Sequence, residues 1–299
     1  MLDSTTVPAA AAGTWKLGDL TVNRVGFGAM RLTGTAPFDM GEPSDRERSI
    51  RVLRRAVELG VNHIDTAAFY FSSLRSANEL INRALAPYPD DLVIVTKVWP
   101  GRNASGEWSW ATPEQLRGQV EENLRQLGRD HLDVVNLRVP PSRRTGSIAE
   151  HFGALAALRD AGLIRHLGVS NVTPGHLAEA RSIAPVVCVQ NPYGIGAPAD
   201  DQEFVRTCGE QGIAFVPFFA IAGEGAEAGA TGTESDVVLA VARAHGATPA
   251  QIRLAWTLQQ GPHVLAIPGT SNPDHLADNV AAGALRLSDA ELALLSGGH

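Results

Sequence analysis

Four side chains invite a chemical reading: Asp65, Tyr70, Lys97 and Arg138. Asp65 closes the stretch "NHID", Tyr70 follows five residues later in "HIDTAAFY", Lys97 sits inside "LVIVTKV", and Arg138 ends "LDVVNLR". Of the 25 Lys and Arg residues only Lys16 and Lys97 are lysines. An amine chosen inside an apolar run suggests a position that needs one. The four groups together suit proton transfer to a polarised oxygen. A free phenol, with a pKa of about 10, is a poor acid at neutral pH. An ammonium beside a phenol favours its ionised form, and a carboxylate paired with that ammonium holds the amine in place. Such a phenol can give a proton to a carbonyl oxygen while a hydride reaches the carbon. Each residue alone has an ordinary explanation. A strand-end Asp can cap a turn, a Tyr can be a rim aromatic, a Lys can snorkel, and Arg138 can pair with Asp133 or Glu107. Four such residues at successive strand ends are harder to explain that way.

The elements that must position them repeat along the chain. Eight apolar segments read as strands: 24–29, 62–65, 92–98, 132–137, 164–170, 186–190, 213–218 and 263–269. They are continuous rather than alternating, as in a parallel sheet covered on both faces. Helices begin between them at capping-box patterns, "SDRE" (44–47), "TPEQ" (112–115), "SIAE" (147–150), "TPAQ" (248–251) and "SDAE" (288–291). "TWKLGDLTVN" reads as a hairpin turning at Gly18-Asp19. The pattern predicts an α/β fold of one domain over residues 14–299, a (β/α)8 TIM barrel preceded by an N-terminal β-hairpin. An open doubly wound sheet is the competitor. "GFGAM" lacks the third glycine of a dinucleotide fingerprint and is not followed directly by a helix. In a barrel the site is built at the C-terminal strand ends, which adds Ser170, Asn171 and Gln190 to the four residues above. The small-residue stretch 220–235 follows the seventh strand segment and is expected at the same rim.

At 299 residues, with 44% hydrophobic residues, the chain can build one large core. A formal net charge of −7 argues against nucleic acid or an anionic membrane surface as partner. No apolar run approaches the roughly 18 residues of a membrane span. Residues 1–13, with an acid at position 3 and no basic region, are expected to be a loosely ordered tail rather than a signal peptide. A cytoplasmic protein with Cys188 and Cys208 as free thiols is expected, and no metal is called for.

"HIDTAAFY" followed by "SANELINRAL", "VTKV", "IRHLGVSN", "VVCVQNPY" and "IPGTSNPDHLADN" resembles the aldo-keto reductase family, in order and spacing, from about Gly28 to Asn279. The resemblance implies a barrel that binds NADP(H) in extended form, with NAD(H) left open, and reduces a small-molecule aldehyde or ketone. It implies Asp65, Tyr70 and Lys97 as catalytic residues, with Tyr70 the proton donor. Ser170, Asn171 and Gln190 would hold the nicotinamide carboxamide, and Phe218 would stack on its ring. Gly28, Ala29 and Met30 would approach the cofactor with their backbone, alongside Asp65. Gly269, Thr270, His275, Asp278 and Asn279 would hold the adenosine and its phosphate. Three departures stand out. Arg138, in "LRVP", occupies the place of the family's catalytic His. Gly269 and His275 stand where many NADPH-preferring members carry Lys and Arg. The chain stops at "ELALLSGGH" without a long tail loop, so substrate selection is expected from loops bearing Trp99, Trp108 and Trp110. Those rings can equally pack the rim. Two other functions compete. One is a cofactor-binding regulatory or scaffold protein, against which the retained Asp65, Tyr70 and Lys97 argue. The other is an isomerase or aldolase using Lys97 as a Schiff base.

Overall fold

The computed structural model describes residues 7–34, 42–103, 105–221 and 235–297. It opens on a hairpin in which β1 (Thr14–Leu17) and β2 (Leu20–Asn23) pair antiparallel, with Gly18 at φ +66 supplying the turn. Then come β3 (Phe27–Gly28), β4 (His63–Asp65) and β5 (Val93–Val98), and a separate antiparallel ribbon of β6 (Pro100–Arg102) and β7 (Trp108–Trp110). The series ends with β8 (Leu132–Arg138), β9 (Ile164–Ser170), β10 (Cys188–Gln190) and β11 (Ala214–Phe215). Seven strands form one parallel sheet in the order β11-β10-β9-β8-β5-β4-β3.

Helices α1 (Arg46–Glu58), α2 (Ala77–Leu85), α3 (Leu116–Leu127), α4 (Ala149–Asp160) and α5 (Pro174–Ile183) alternate with the strands. They are followed by α6 (Ala199–Glu210), α7 (Asp236–His245), α8 (Pro249–Leu258), α9 (Pro273–Ala281) and α10 (Asp289–Gly297).

The eighth expected segment closes the ring without becoming a regular strand. Val264 bridges Phe215 and Ala266 bridges Val25, both in parallel. Backbone bonds from Leu265 N to Phe215 O (2.9 Å) and from Gly26 N to Ala266 O (2.8 Å) join the two edges. The expected strands 24–29, 213–218 and 263–269 are therefore shorter than their apolar runs. Pro217 and Pro268 contribute to this, because a proline donates nothing to a ladder. The closure is tight. A Cβ on Gly269 would lie 2.5 Å from Gly28 O, and one on Gly28 would lie 2.6 Å from Ile267 O. Gly28→Ala and Gly269→Ala should each lower stability by about 1–3 kcal/mol, the usual cost of overpacking. Unchanged denaturation midpoints would show that the seam yields freely.

The strand periodicity decides what reaches the site. Along β5, Ile94 and Val98 pack in the outer core beneath the helices, whereas Val93 and Val95 face an inner cluster with Val134, Cys188 and Leu265. Lys97 is next in that inner row. The same alternation carries Val134, Asn136 and Arg138 inward, and likewise Cys188 and Gln190. Leu17 and Val22 of the hairpin join the inner cluster, so the hairpin plugs the barrel's N-terminal end.

Two helix starts differ from the expected boxes. Asp45, not Ser44, caps α1, accepting from Arg48 N at 2.7 Å. At α4 the reaching carboxylate is Glu179 of α5, which accepts from Ile148 N at 2.8 Å, rather than Glu150. The boxes at Thr112, Thr248 and Ser288 form as expected. The loose-tail expectation is corrected for residues 7–13: Ala9–Ala12 is a 3-10 turn whose Ala9 is buried and donates to Leu59 O at 2.8 Å. Residues 1–6 lie outside the described residues, as do 222–234 of the expected rim loop.

His63 is buried in β4, and burial holds its imidazole down at about 4 from an ordinary 6.5. A group with a depressed folded pKa contributes stability that is complete above pH 6.5 and is lost as the pH falls toward 4, here up to about 3 kcal/mol. His63→Asn should flatten the acid limb of stability against pH by close to one proton. An unchanged slope would place that proton elsewhere.

Candidate active site

Lys97 and Asp65 form a buried ion pair, with Nζ 2.6 Å from Oδ1. The same ammonium donates to Thr66 O at 2.9 Å. The other oxygen of Asp65 accepts from Gln190 Nε2 at 2.7 Å. Both oxygens of the carboxylate are thus engaged across the barrel mouth. Register explains the meeting: Gly28 pairs with Asp65, Asp65 with Val95, and Gln190 with Ser170.

Tyr70 lies on the segment leaving β4, buried, with the Lys97 ammonium 4.9 Å from its ring centroid and Phe69 edge-on at 5.1 Å. Its segment is pinned at both ends of the peptide, Tyr70 N donating to Ala67 O at 3.0 Å and Tyr70 O accepting from Ala77 N at 2.9 Å. Beneath it runs a buried polar chain. Thr66 Oγ1 donates to Asn78 Oδ1 (2.8 Å), Asn78 Nδ2 to Asn123 Oδ1 (2.9 Å), and Thr96 Oγ1 to the same oxygen (2.6 Å). These positioning residues were not singled out from the sequence. The signal was there: Asn78 and Asn123 fall on the apolar faces of α2 and α3.

Arg138 reaches the same cavity from the end of β8. It donates from one terminal nitrogen to Ser170 Oγ at 3.0 Å, and its guanidinium lies 4.9 Å from the Phe218 ring centroid. Among the described residues no carboxylate approaches it within 4.0 Å. Asp133 is taken by Arg129 at 3.1 Å and by Ile94 N at 2.8 Å, and Glu107 by Asn103 at 2.8 Å. Gly28, Met30, Tyr70, Gln190, Phe218 and Gly269 line the cavity with Arg138. Gln190 Oε1 is buried there without a hydrogen-bond partner. Cys188, one residue pair below in β10, is buried and its thiol is pushed up to about 12 by that burial.

Among the described residues three non-glycines have positive φ: Trp99 (+94) and Asn171 (+57), directly after β5 and β9, and Phe219 (+64), four residues past β11. Strained backbone of this kind collects at functional sites. Asn171 spends its amide on shaping the rim, donating from Nδ2 to Val139 O at 2.7 Å. Trp99 is not brought to the cavity: it is buried, stacks on His151 at 3.9 Å, and its N donates to Gln119 Oε1 at 2.8 Å. Trp108 and Trp110 are exposed on the ribbon, stacked 6.1 Å apart, and Trp108 meets Phe69 at 5.7 Å. They stand beside Tyr70's neighbour rather than in the cavity wall.

Ala29 and Met30 form a 3-10 turn after β3. Thr270 accepts from Asn272 N at 3.0 Å before α9, where His275 is exposed, Asp278 half-buried and Asn279 buried. A second recess joins Gly269, Thr270 and Ser271 to Arg31 and Arg48, with Glu42 and Asp45 also present. These two arginines come close to residues 269–271 only through the fold, and no local sequence pattern marks them. Among the described residues no three His, Cys, Asp or Glu side chains gather as a metal site, and no helix is long and apolar enough to cross a membrane.

Known proteins resemble this chain along nearly its whole length. The model of the "Aldo/keto reductase family" matches residues 24–297. Pyridoxine 4-dehydrogenase of Escherichia coli is 46% identical over 292 residues, covering 96% of this chain and 98% of that protein. The crystal structure of the thermostable aldo-keto reductase Tm1743 superposes with a TM-score of 0.78 at 29% identity, covering 95% of this chain and 98% of its own. An aldo/keto reductase from Klebsiella pneumoniae, solved in complex with NADPH, gives 0.74 at 26% identity over 92% and 90%.

Proposed function

The chain belongs to the aldo/keto reductase family, and from that premise we propose that it is an NADPH-dependent carbonyl reductase with Tyr70 as proton donor and Arg138 in place of the usual histidine. The observation that carries this is the convergence on one cavity of Tyr70, the Asp65–Lys97 pair at 2.6 Å and the unpartnered Gln190 Oε1. A nicotinamide dinucleotide, when bound, supplies the hydride. The residues present fit it: a buried acceptor without a donor suits a carboxamide NH2, and Phe218 offers a ring face at the cavity's edge.

Tyr70 gives its hydroxyl proton to the carbonyl oxygen as the carbon accepts hydride. Lys97 stabilises the phenolate left behind, and Asp65, fixed by Gln190, keeps the ammonium in place. Arg138 donates toward the oxygen but cannot supply a proton under working conditions. The name of the 46%-identical relative favours an aromatic aldehyde of the pyridoxal type as substrate.

The test is NADPH oxidation with a panel of aldehydes that includes pyridoxal. Turnover is expected. Tight cofactor binding with no turnover of any aldehyde would favour the regulatory or scaffold reading. The recess bearing Arg31 and Arg48 beside Thr270 and Ser271 can take a phosphate. We therefore expect NADPH to bind more tightly than NADH by about 1–3 kcal/mol, the scale of one or two charge-assisted bonds. Equal affinities in a fluorescence titration would remove the preference.

A further inference from the structure

We infer that Arg138 makes this enzyme selective for carbonyl compounds bearing an oxyanion next to the carbonyl group, either an ionised ortho hydroxyl or an α-carboxylate. The inference rests on the reductase reading above and names its substrate class. Charge at the cavity carries the argument. Among the described residues its walls bring Arg138 together with one acid, Asp65. Both oxygens of Asp65 are already spent, on Lys97 and Gln190. The positive charge of Arg138 is therefore balanced by no carboxylate among the described residues, in a chain whose formal net charge is −7.

A half-buried guanidinium without an anion is costly to maintain, and a substrate that supplies one recovers that cost on binding. Position adds to charge. Ser170 Oγ and the Phe218 ring hold one side of the guanidinium, and an arginine has five N–H donors. Those left over open on the cavity that Tyr70 also lines. A carbonyl oxygen at Tyr70 with an adjacent oxyanion at Arg138 uses both donors at once. A neutral histidine at this place could not provide a fixed charge.

The experiment compares matched substrates with NADPH in the wild-type enzyme and in Arg138→Met and Arg138→Lys. One pair is 2-hydroxybenzaldehyde against 2-methoxybenzaldehyde, and the other is glyoxylate against its methyl ester. The ratio of KM for the neutral member to KM for the anionic member should fall roughly tenfold to a hundredfold in Arg138→Met, with partial recovery in Arg138→Lys. Preference in the first pair alone assigns the site to an ortho hydroxylate, and in the second alone to a carboxylate. Oxamate, a non-reducible carboxylate, is titrated calorimetrically into the wild-type and Arg138→Met enzymes and should bind measurably only where Arg138 is present. Turnover of the neutral members with KM ratios and oxamate affinity unaffected by Arg138→Met overturns the inference and leaves the reductase reading intact. Absence of turnover with every substrate overturns the reductase reading, while the oxamate titration still decides the anion site.

Discussion

Replacing Tyr70 with phenylalanine is expected to leave cofactor affinity within about twofold and to lower kcat by about 10²–10⁴, the usual loss when a positioned general acid is removed. The surroundings of the ring make this a clean substitution. Phenylalanine keeps the edge-on contact with Phe69 at 5.1 Å and the ammonium of Lys97 at 4.9 Å, and only the hydroxyl disappears. The backbone bonds that pin the segment, Tyr70 N to Ala67 O and Ala77 N to Tyr70 O, do not involve the side chain. Steady-state kinetics with a saturating aldehyde, together with a cofactor titration, separate the two effects. A Tyr70→Phe enzyme with near-normal kcat would take this residue out of the mechanism.

The second large effect concerns the pair behind it. Lys97 and Asp65 are 2% and 4% exposed, so neither can fall back on water when its partner is lost. Lys97→Met leaves a buried carboxylate whose remaining side-chain donor is Gln190, and Asp65→Asn leaves a buried ammonium facing Thr66 O and a neutral amide, with no anion to balance it. Breaking a buried pair from one side costs about 3–5 kcal/mol. Each single variant should lose that much in chemical denaturation, and the double variant should lose clearly less than the sum. All three should lack turnover. Additive losses would show that the 2.6 Å contact contributes no coupling and that the two groups serve the fold separately.

What could be read from the sequence divides along physical lines. Asp65, Lys97, Arg138 and Gln190 were legible because each is the last inward-facing residue of an apolar run, and strand alternation leaves few places for it to point. The hairpin was legible because Gly18-Asp19 demands a turn. The seam of the barrel was not, since Pro217 and Pro268 cut ladders whose apolar runs continue past them, and no local pattern records the Gly28–Gly269 approach. Nor was the cap of α4 by Glu179, which lies 31 residues further along the chain and meets Ile148 only after folding. Trp99 misled for a similar reason. An aromatic two residues after the strand-end Lys97 suggests a substrate wall, yet its φ of +94 turns it under the rim onto His151. Arg31 and Arg48 lie 17 residues apart and far from Thr270 in sequence, so their shared recess is a property of the closed ring.

The central claim is direct hydride transfer to a carbonyl carbon in the cavity shared by Tyr70, Arg138 and Gln190. It is tested most directly with NADPH deuterated stereospecifically at C4, prepared separately on each face and reacted with pyridoxal. One of the two labelled cofactors is expected to place a single deuterium on the carbinol carbon of the alcohol, which mass spectrometry reads, and the other to place none. Alcohol without deuterium from either cofactor, or cofactor bound with no alcohol formed, would contradict the account.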